Sequence, residues 1–130
     1  MNQSLLDLAR SYTEAWCSQD PETVASFYEE NGSLTVNGGV PAVGRDAIQA
    51  VAQGFMSAFP DMKVFMDDLV VEDNDIRYHW TLTGTNNGPG GTGRPVRISG
   101  FESWQVGPRG LIEHSQGHFD ENEYSRQLGE

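Results

Sequence analysis

One short run gathers the residues best suited to chemistry. Gly110-Leu-Ile-Glu-His114-Ser-Gln-Gly-His118-Phe-Asp120 holds two histidines, two carboxylates and an amide. A carboxylate beside an imidazole suits general acid–base work: burial raises the carboxyl pKa, and the imidazole favours its charged form. Glu102, in the preceding apolar run, adds a further carboxylate. Asp120, His118 and Glu102 are therefore the candidates for proton transfer. A structural reading stands beside this one, with Asp120 capping the C-terminal segment and His118 hydrogen-bonding locally.

Other groups point to less. His114 and His118 would share an ion on a helix, but on a strand they stand roughly 13 Å apart. The glutamate of a zinc-protease motif is missing, so no metal is expected. Cys17 has no activating base nearby and reads as a buried, inert thiol. Residues 86–94 are Gly-rich but join strand to strand and lack the Lys-Ser/Thr ending of a phosphate loop. They read as a flexible rim over a cavity mouth.

The elements that must position these groups follow from hydrophobic period. Ser4-Leu-Leu-Asp7 reads as a capping box, followed by a helical stripe of Leu5, Leu8, Tyr12, Ala15 and Trp16. Asp20-Pro21-Glu22 starts a short second helix, with Val24, Phe27 and Tyr28 on its apolar face and Asn31-Gly32 at its end. A short strand covers 33–37, and a third helix runs from Arg45 to about Phe59, stopped by Pro60. The period then changes to two, giving strands over 62–71, 76–85 and 95–106, and a last one in the histidine-bearing run. An acidic turn, Glu72-Asp-Asn-Asp75, joins the first pair. Short connections make these strands an antiparallel meander.

Alternation assigns faces. Ile76, Tyr78, Trp80 and Leu82 point one way, as do Val96, Ile98, Glu102, Trp104 and Val106. Pro108-Arg109-Gly110 suits a type I turn with a left-handed glycine, pairing Gly107 with Leu111. Carried along the strand, that register opposes Trp104 to His114, Glu102 to Gln116 and Gly100 to His118. The inner face then collects Glu102, His114, Gln116, His118 and Asp120 among Tyr78, Trp80 and Trp104, with Tyr12 and Trp16 from the first helix. Tyr12, Trp16, Tyr78, Trp80, Trp104, His114 and Gln116 are the expected substrate-binding set.

The composition bounds the answer. At 130 residues the chain is one domain, 1–130, large enough for a single core. A net charge of −11 with eight scattered Lys and Arg excludes nucleic acid as a natural partner. The lone Cys17 allows no intrachain disulfide, no leader pattern follows Met1, and no apolar run would span a bilayer. A soluble, cytoplasmic protein without membrane association is expected.

The order of segments resembles the SnoaL-like polyketide cyclases of the nuclear-transport-factor-2-like superfamily. Trp80-Thr-Leu-Thr-Gly-Thr85, Thr92-Gly-Arg-Pro-Val96, Gly110-Leu-Ile-Glu113, and Asp120 followed by Gln127-Leu-Gly129 carry the likeness over nearly the whole chain. The resemblance implies an α+β fold, a cone-shaped barrel of three N-terminal helices packed on a curved, mainly antiparallel sheet. It implies a cofactor-independent cyclase or isomerase taking a proton next to a carbonyl of a small hydrophobic molecule. In such cyclases a late-strand acid is the base and a histidine helps hold the enolate oxygen, which implies Asp120 with His118 beside it. Gln116 departs from the Trp common at its position. The superfamily also includes non-catalytic binding and dimerisation modules, the alternative reading. Phe101 and Phe119, on adjacent strands of the outer face, point to a homodimer.

Overall fold

Alternating apolar residues in the second half of the chain build one sheet, and the amphipathic first half covers its inner face. The computed structural model describes residues 3–73 and 75–129; Met1, Asn2, Asn74 of the acidic turn and Glu130 lie outside the described residues. In order, the elements are α1 (Gln3–Cys17), α2 (Pro21–Ala25), β1 (Tyr28–Val36), β2 (Ala42–Val43), α3 (Arg45–Ala58), β3 (Lys63–Glu72), β4 (Asp75–Thr85), β5 (Pro95–Val106), β6 (Ile112–Phe119) and α4 (Glu121–Leu128).

The six strands run in the order β2-β1-β6-β5-β4-β3. β3 to β6 form the expected meander, and only the β1–β6 pair is parallel. The sheet is mixed and open, with the helices packed on one side, an α+β architecture as expected. α1 is already helical at Gln3, so Ser4 lies inside its first turn. Asp20 does cap α2, accepting from the Glu22 amide at 3.1 Å.

Two first-half assignments change. Tyr28 opens β1 instead of closing the second helix, and Asn31-Gly32 lies within that strand. The pairing of β1 with β6 slips between Tyr28 and Ser33. Gly32 is buried there, and a Cβ would come within 3.0 Å of the Glu29 and Ile112 carbonyl oxygens. The sequence has no alternation across Glu29–Gly32 because this part of the strand is irregular. The tail, read as a last turn or a frayed end, forms α4, capped by Asp120 and ended by left-handed Gly129.

The core is continuous from helices to sheet. Tyr12, Val24, Tyr28, Ile48, Ala52, Phe59 and Ile112 are fully buried. Residues 86–94 are better anchored than the flexible rim expected of them. Asn86 binds the Ala58 carbonyl through Nδ2 and the Thr92 amide through Oδ1, and its backbone pairs with Arg94 and Gly93. Cys17 is exposed and not buried, its sulfur hydrogen-bonded to the Val64 backbone.

Gly100 marks the tightest approach on the sheet. A Cβ there would overlap the His118 carbonyl oxygen and lie 2.8 Å from the Trp80 ring. The space above Gly100 therefore holds the Trp80 indole and not an imidazole. Gly100→Ala is expected to lower stability by about 1–3 kcal/mol through overpacking, measured as a lower urea midpoint at unchanged m-value.

Candidate active site

The hairpin into β6 forms as its residues dictate. Gly107 N–H binds the Leu111 carbonyl, and Gly110 is left-handed at φ 76°. Val106 then pairs with Ile112 but Gln105 with His114, leaving Glu113 as the extra residue of a β-bulge. Beyond it the register is one residue off the expected one: Trp104 opposes Ser115, Glu102 opposes Gly117, and Gly100 opposes Phe119.

That single residue exchanges the faces of the strand. Ser115, Gly117 and Phe119 turn inward, while His114, Gln116 and His118 are exposed on the outer side. His114 bonds the Ser33 hydroxyl at 2.8 Å, and His118 lies against Phe101 at 5.0 Å. Asp120 is exposed beyond the strand, its Oδ1 accepting from the Asn122 and Glu123 amides at 3.0 and 3.1 Å. The inward placement expected for His114, Gln116, His118 and Asp120 is thus corrected. Asp120 does the work of a helix cap.

Glu102 lies inward as expected and is the centre of a buried network. Its Oε1 accepts from Ser115 Oγ at 2.7 Å, Trp104 Nε1 at 2.9 Å and the Tyr12 hydroxyl at 3.0 Å. Tyr12 and Tyr28 share a further bond of 2.8 Å behind it. Tyr78 stacks on Trp104 with centroids 4.9 Å apart, and its hydroxyl meets that of Thr13. Burial raises the Glu102 carboxyl above its ordinary range, and the surrounding donors only partly offset this. Burial, reinforced by the Glu102 charge, lifts the Tyr12 and Tyr28 phenols well above theirs.

Glu102 borders a cavity with about 70 Å³ open to the centre of a water-sized sphere. Trp16, Tyr78 and Trp80, three of the expected binding residues, line it. Tyr12 and Trp104 do not; they stand behind the wall and hold Glu102. The remaining lining is apolar apart from Tyr124, with Phe55, Phe119 and Gly117 prominent. The Trp80 indole N–H is buried without a hydrogen-bond partner among the described residues.

Ser115, Gly117, Phe55 and Tyr124 were not singled out as site residues by the sequence pattern, and Tyr28 and Phe119 were assigned instead to a helix face and to the outer face of the sheet. One signal for the first two was present. Ile112 and Phe119, the apolar residues bounding β6, are an odd number of positions apart. Both can face the core only if a bulge lies between them. Gly117 inside a strand is a second sign of a wall kept clear.

The SnoaL-like polyketide cyclase family model matches residues 6–128. The chain belongs to that family. Solved structures share the fold of this SnoaL-like chain at low identity. A structure described as a SnoaL-like polyketide cyclase, from Jannaschia, is 13% identical over 97% of this chain and 92% of its own, with a TM-score of 0.85. TsrD from Streptomyces laurentii is 22% identical over 99% and 97%, with a TM-score of 0.84. A protein of ketosteroid isomerase-like fold from Catenulispora acidiphila, solved with trimethylamine, is 13% identical over 95% and 92%, with a TM-score of 0.83. No curated protein sequence matches the chain.

The raised Glu102 pKa has a defined effect on stability. Because the native carboxyl holds its proton to higher pH than the unfolded one, Glu102 lowers stability as pH rises from the ordinary glutamate pKa to the raised native one. Glu102→Gln removes this dependence and keeps an oxygen for the three donors. Its stability relative to the parent is expected to improve from mildly acid to neutral pH, measured by urea unfolding across that range.

Proposed function

We propose that this SnoaL-like chain is a cofactor-independent enzyme of the cyclase or isomerase type. It takes a proton from carbon next to a carbonyl in a small hydrophobic, polyketide-like molecule. One observation carries this reading: Glu102 is the sole carboxyl among the described residues lining an otherwise largely apolar cavity, and three donors hold one of its oxygens in place.

The roles follow from that arrangement. Glu102 is the base, made more basic by desolvation. Ser115, Trp104 and Tyr12 fix its direction as positioning residues. The Trp16 and Trp80 N–H groups, both buried without a hydrogen-bond partner among the described residues, are the donors available to the carbonyl oxygen, and the aromatic walls keep water out. Asp120 and His118, outside the cavity, take no part.

Hydrogen–deuterium exchange next to the carbonyl of a panel of small ketones and diketones, followed by NMR, tests this. Glu102→Gln should slow the catalysed exchange on the order of a hundredfold. Asp120→Asn should leave it nearly unchanged, since Asn caps a helix as well as Asp. Binding without exchange would make the chain a non-catalytic binding module of the same fold. Full activity in Glu102→Gln would remove Glu102 as the base.

We also infer a homodimer through the outer face of the sheet, without Phe119, which faces the cavity. Phe65, 48% exposed, and Phe101, flanked by His79, His118 and Arg77, give that face its apolar surface. Sedimentation at micromolar concentration is expected to give the dimer, and Phe65→Asp with Phe101→Asp the monomer. A parent protein sedimenting only as a monomer contradicts it.

A further inference from the structure

Glycine weakens the interior of a strand, so each one found there answers to something. Gly32, Gly84, Gly100 and Gly117 are the glycines of the described strands. Close packing requires the first three. A Cβ on Gly32 would come within 3.0 Å of two carbonyl oxygens, and one on Gly84 within 3.1 Å of Phe59. On Gly100 it would overlap the His118 carbonyl oxygen. Gly117 is different. Among the described residues a Cβ there meets only Glu102 Cγ and the Thr35 carbonyl oxygen, both at 3.7 Å, an ordinary contact distance. Its φ lies outside the left-handed region. Neither the backbone nor the packing asks for glycine at this position.

What the missing side chain leaves is room beside the carboxyl. Val36, Gly117, Glu102 and Tyr78 oppose one another in a single row across β1, β6, β5 and β4. All four line the cavity. Gly117 is thus a notch in a row of large side chains, between Val36 and the carboxyl. The cavity, with 70 Å³ open to the centre of a water-sized sphere, has room for about five waters. A methyl group takes about the space of one of them. One carbon at 117 is therefore small to the fold and large to a guest.

We propose that Gly117 determines specificity: its notch receives a substituent on the carbon that loses the proton. The substrate is accordingly a compact carbonyl compound branched at that carbon. This rests on Glu102 as the base and adds the shape of the substrate. In the step the C–H bond breaks, the proton goes to the Glu102 carboxylate, and the electron pair becomes that of the enolate. The reacting carbon must stand against the carboxyl for this to happen. With the carbonyl oxygen turned to the Trp16 and Trp80 N–H groups, the branch lies along the row. Val36 and Tyr78 fill their places in it, and the place at 117 is open.

2-Methylcyclohexanone tests this because it offers both kinds of carbon in one molecule. C2 carries a methyl group and C6 does not. Deuterium exchange at the two is followed by NMR in one sample, so their ratio is independent of protein concentration. The parent is expected to raise the C2-to-C6 ratio about tenfold or more above that in buffer, the low end of what one methyl group in a fitted pocket gives. Gly117→Ala should return the ratio to within about threefold of the buffer value. Its urea midpoint should equal or exceed the parent's, since alanine at a position with room lowers the conformational freedom of the unfolded chain. A parent ratio no higher than that in buffer, an unchanged ratio in Gly117→Ala, or a lowered urea midpoint in that variant overturns the proposal. Exchange that depends on Glu102 but not on residue 117 leaves the base in place and removes only the specificity. No catalysed exchange at either carbon removes both.

Discussion

Three donors converging on one oxygen of Glu102 are the interaction on which the rest of the site depends. A carboxyl this deeply buried would be costly without partners. Ser115 from β6, Trp104 from β5 and Tyr12 from α1 supply them, so the network ties the two central strands to the first helix. All three bind Oε1, which holds the carboxyl in place at the border of the cavity.

Packing around the network serves the same end. Tyr78 stacked on Trp104 forms the floor beneath Glu102. Phe119 packs edge-on against Trp80 and Tyr124, which carries the wall from β6 to α4. α4 has no fully buried residue of its own. It is fastened by Asp120 at its start and by Gln127, whose amide makes two bonds to the Arg97 backbone on β5. Polar side chains thus secure the one element whose hydrophobic surface is too small to secure itself.

Legibility in the sequence tracked how strongly each segment fixed its own phase. β4 and β5 have apolar residues at every second position, so their faces, and the inward Glu102, could be read directly. Tyr78 and Trp80 followed from the same periodicity, and Trp16 from the helical spacing of α1. β6 has apolar residues only near its two ends, with Glu, His, Ser, Gln, Gly and His between them. Nothing within that run resists a shift of one position, and a bulge is a matter of pairing that residue types in one strand do not encode. The turn before it was legible to the residue, since Pro108 and Gly110 answer to local conformational rules. β1 was obscured for a related reason: its irregular start at Glu29–Gly32 is set by contact with β6.

The bulge at Glu113 also says something about how such a domain can change its chemistry. Downstream of it, the strand carries two side-chain sets: Ser, Gly and Phe on one face, and His, Gln and His on the other. Which set meets Glu102 is governed by strand length and not by composition. In a lineage of such proteins, loss or gain of one codon in this strand would exchange a hydroxyl-and-glycine wall for an imidazole-and-amide wall, with every other residue kept. Relatives that look alike residue by residue can then differ in the interior of the cavity, and a gap of one position in an alignment would carry more functional meaning than many substitutions.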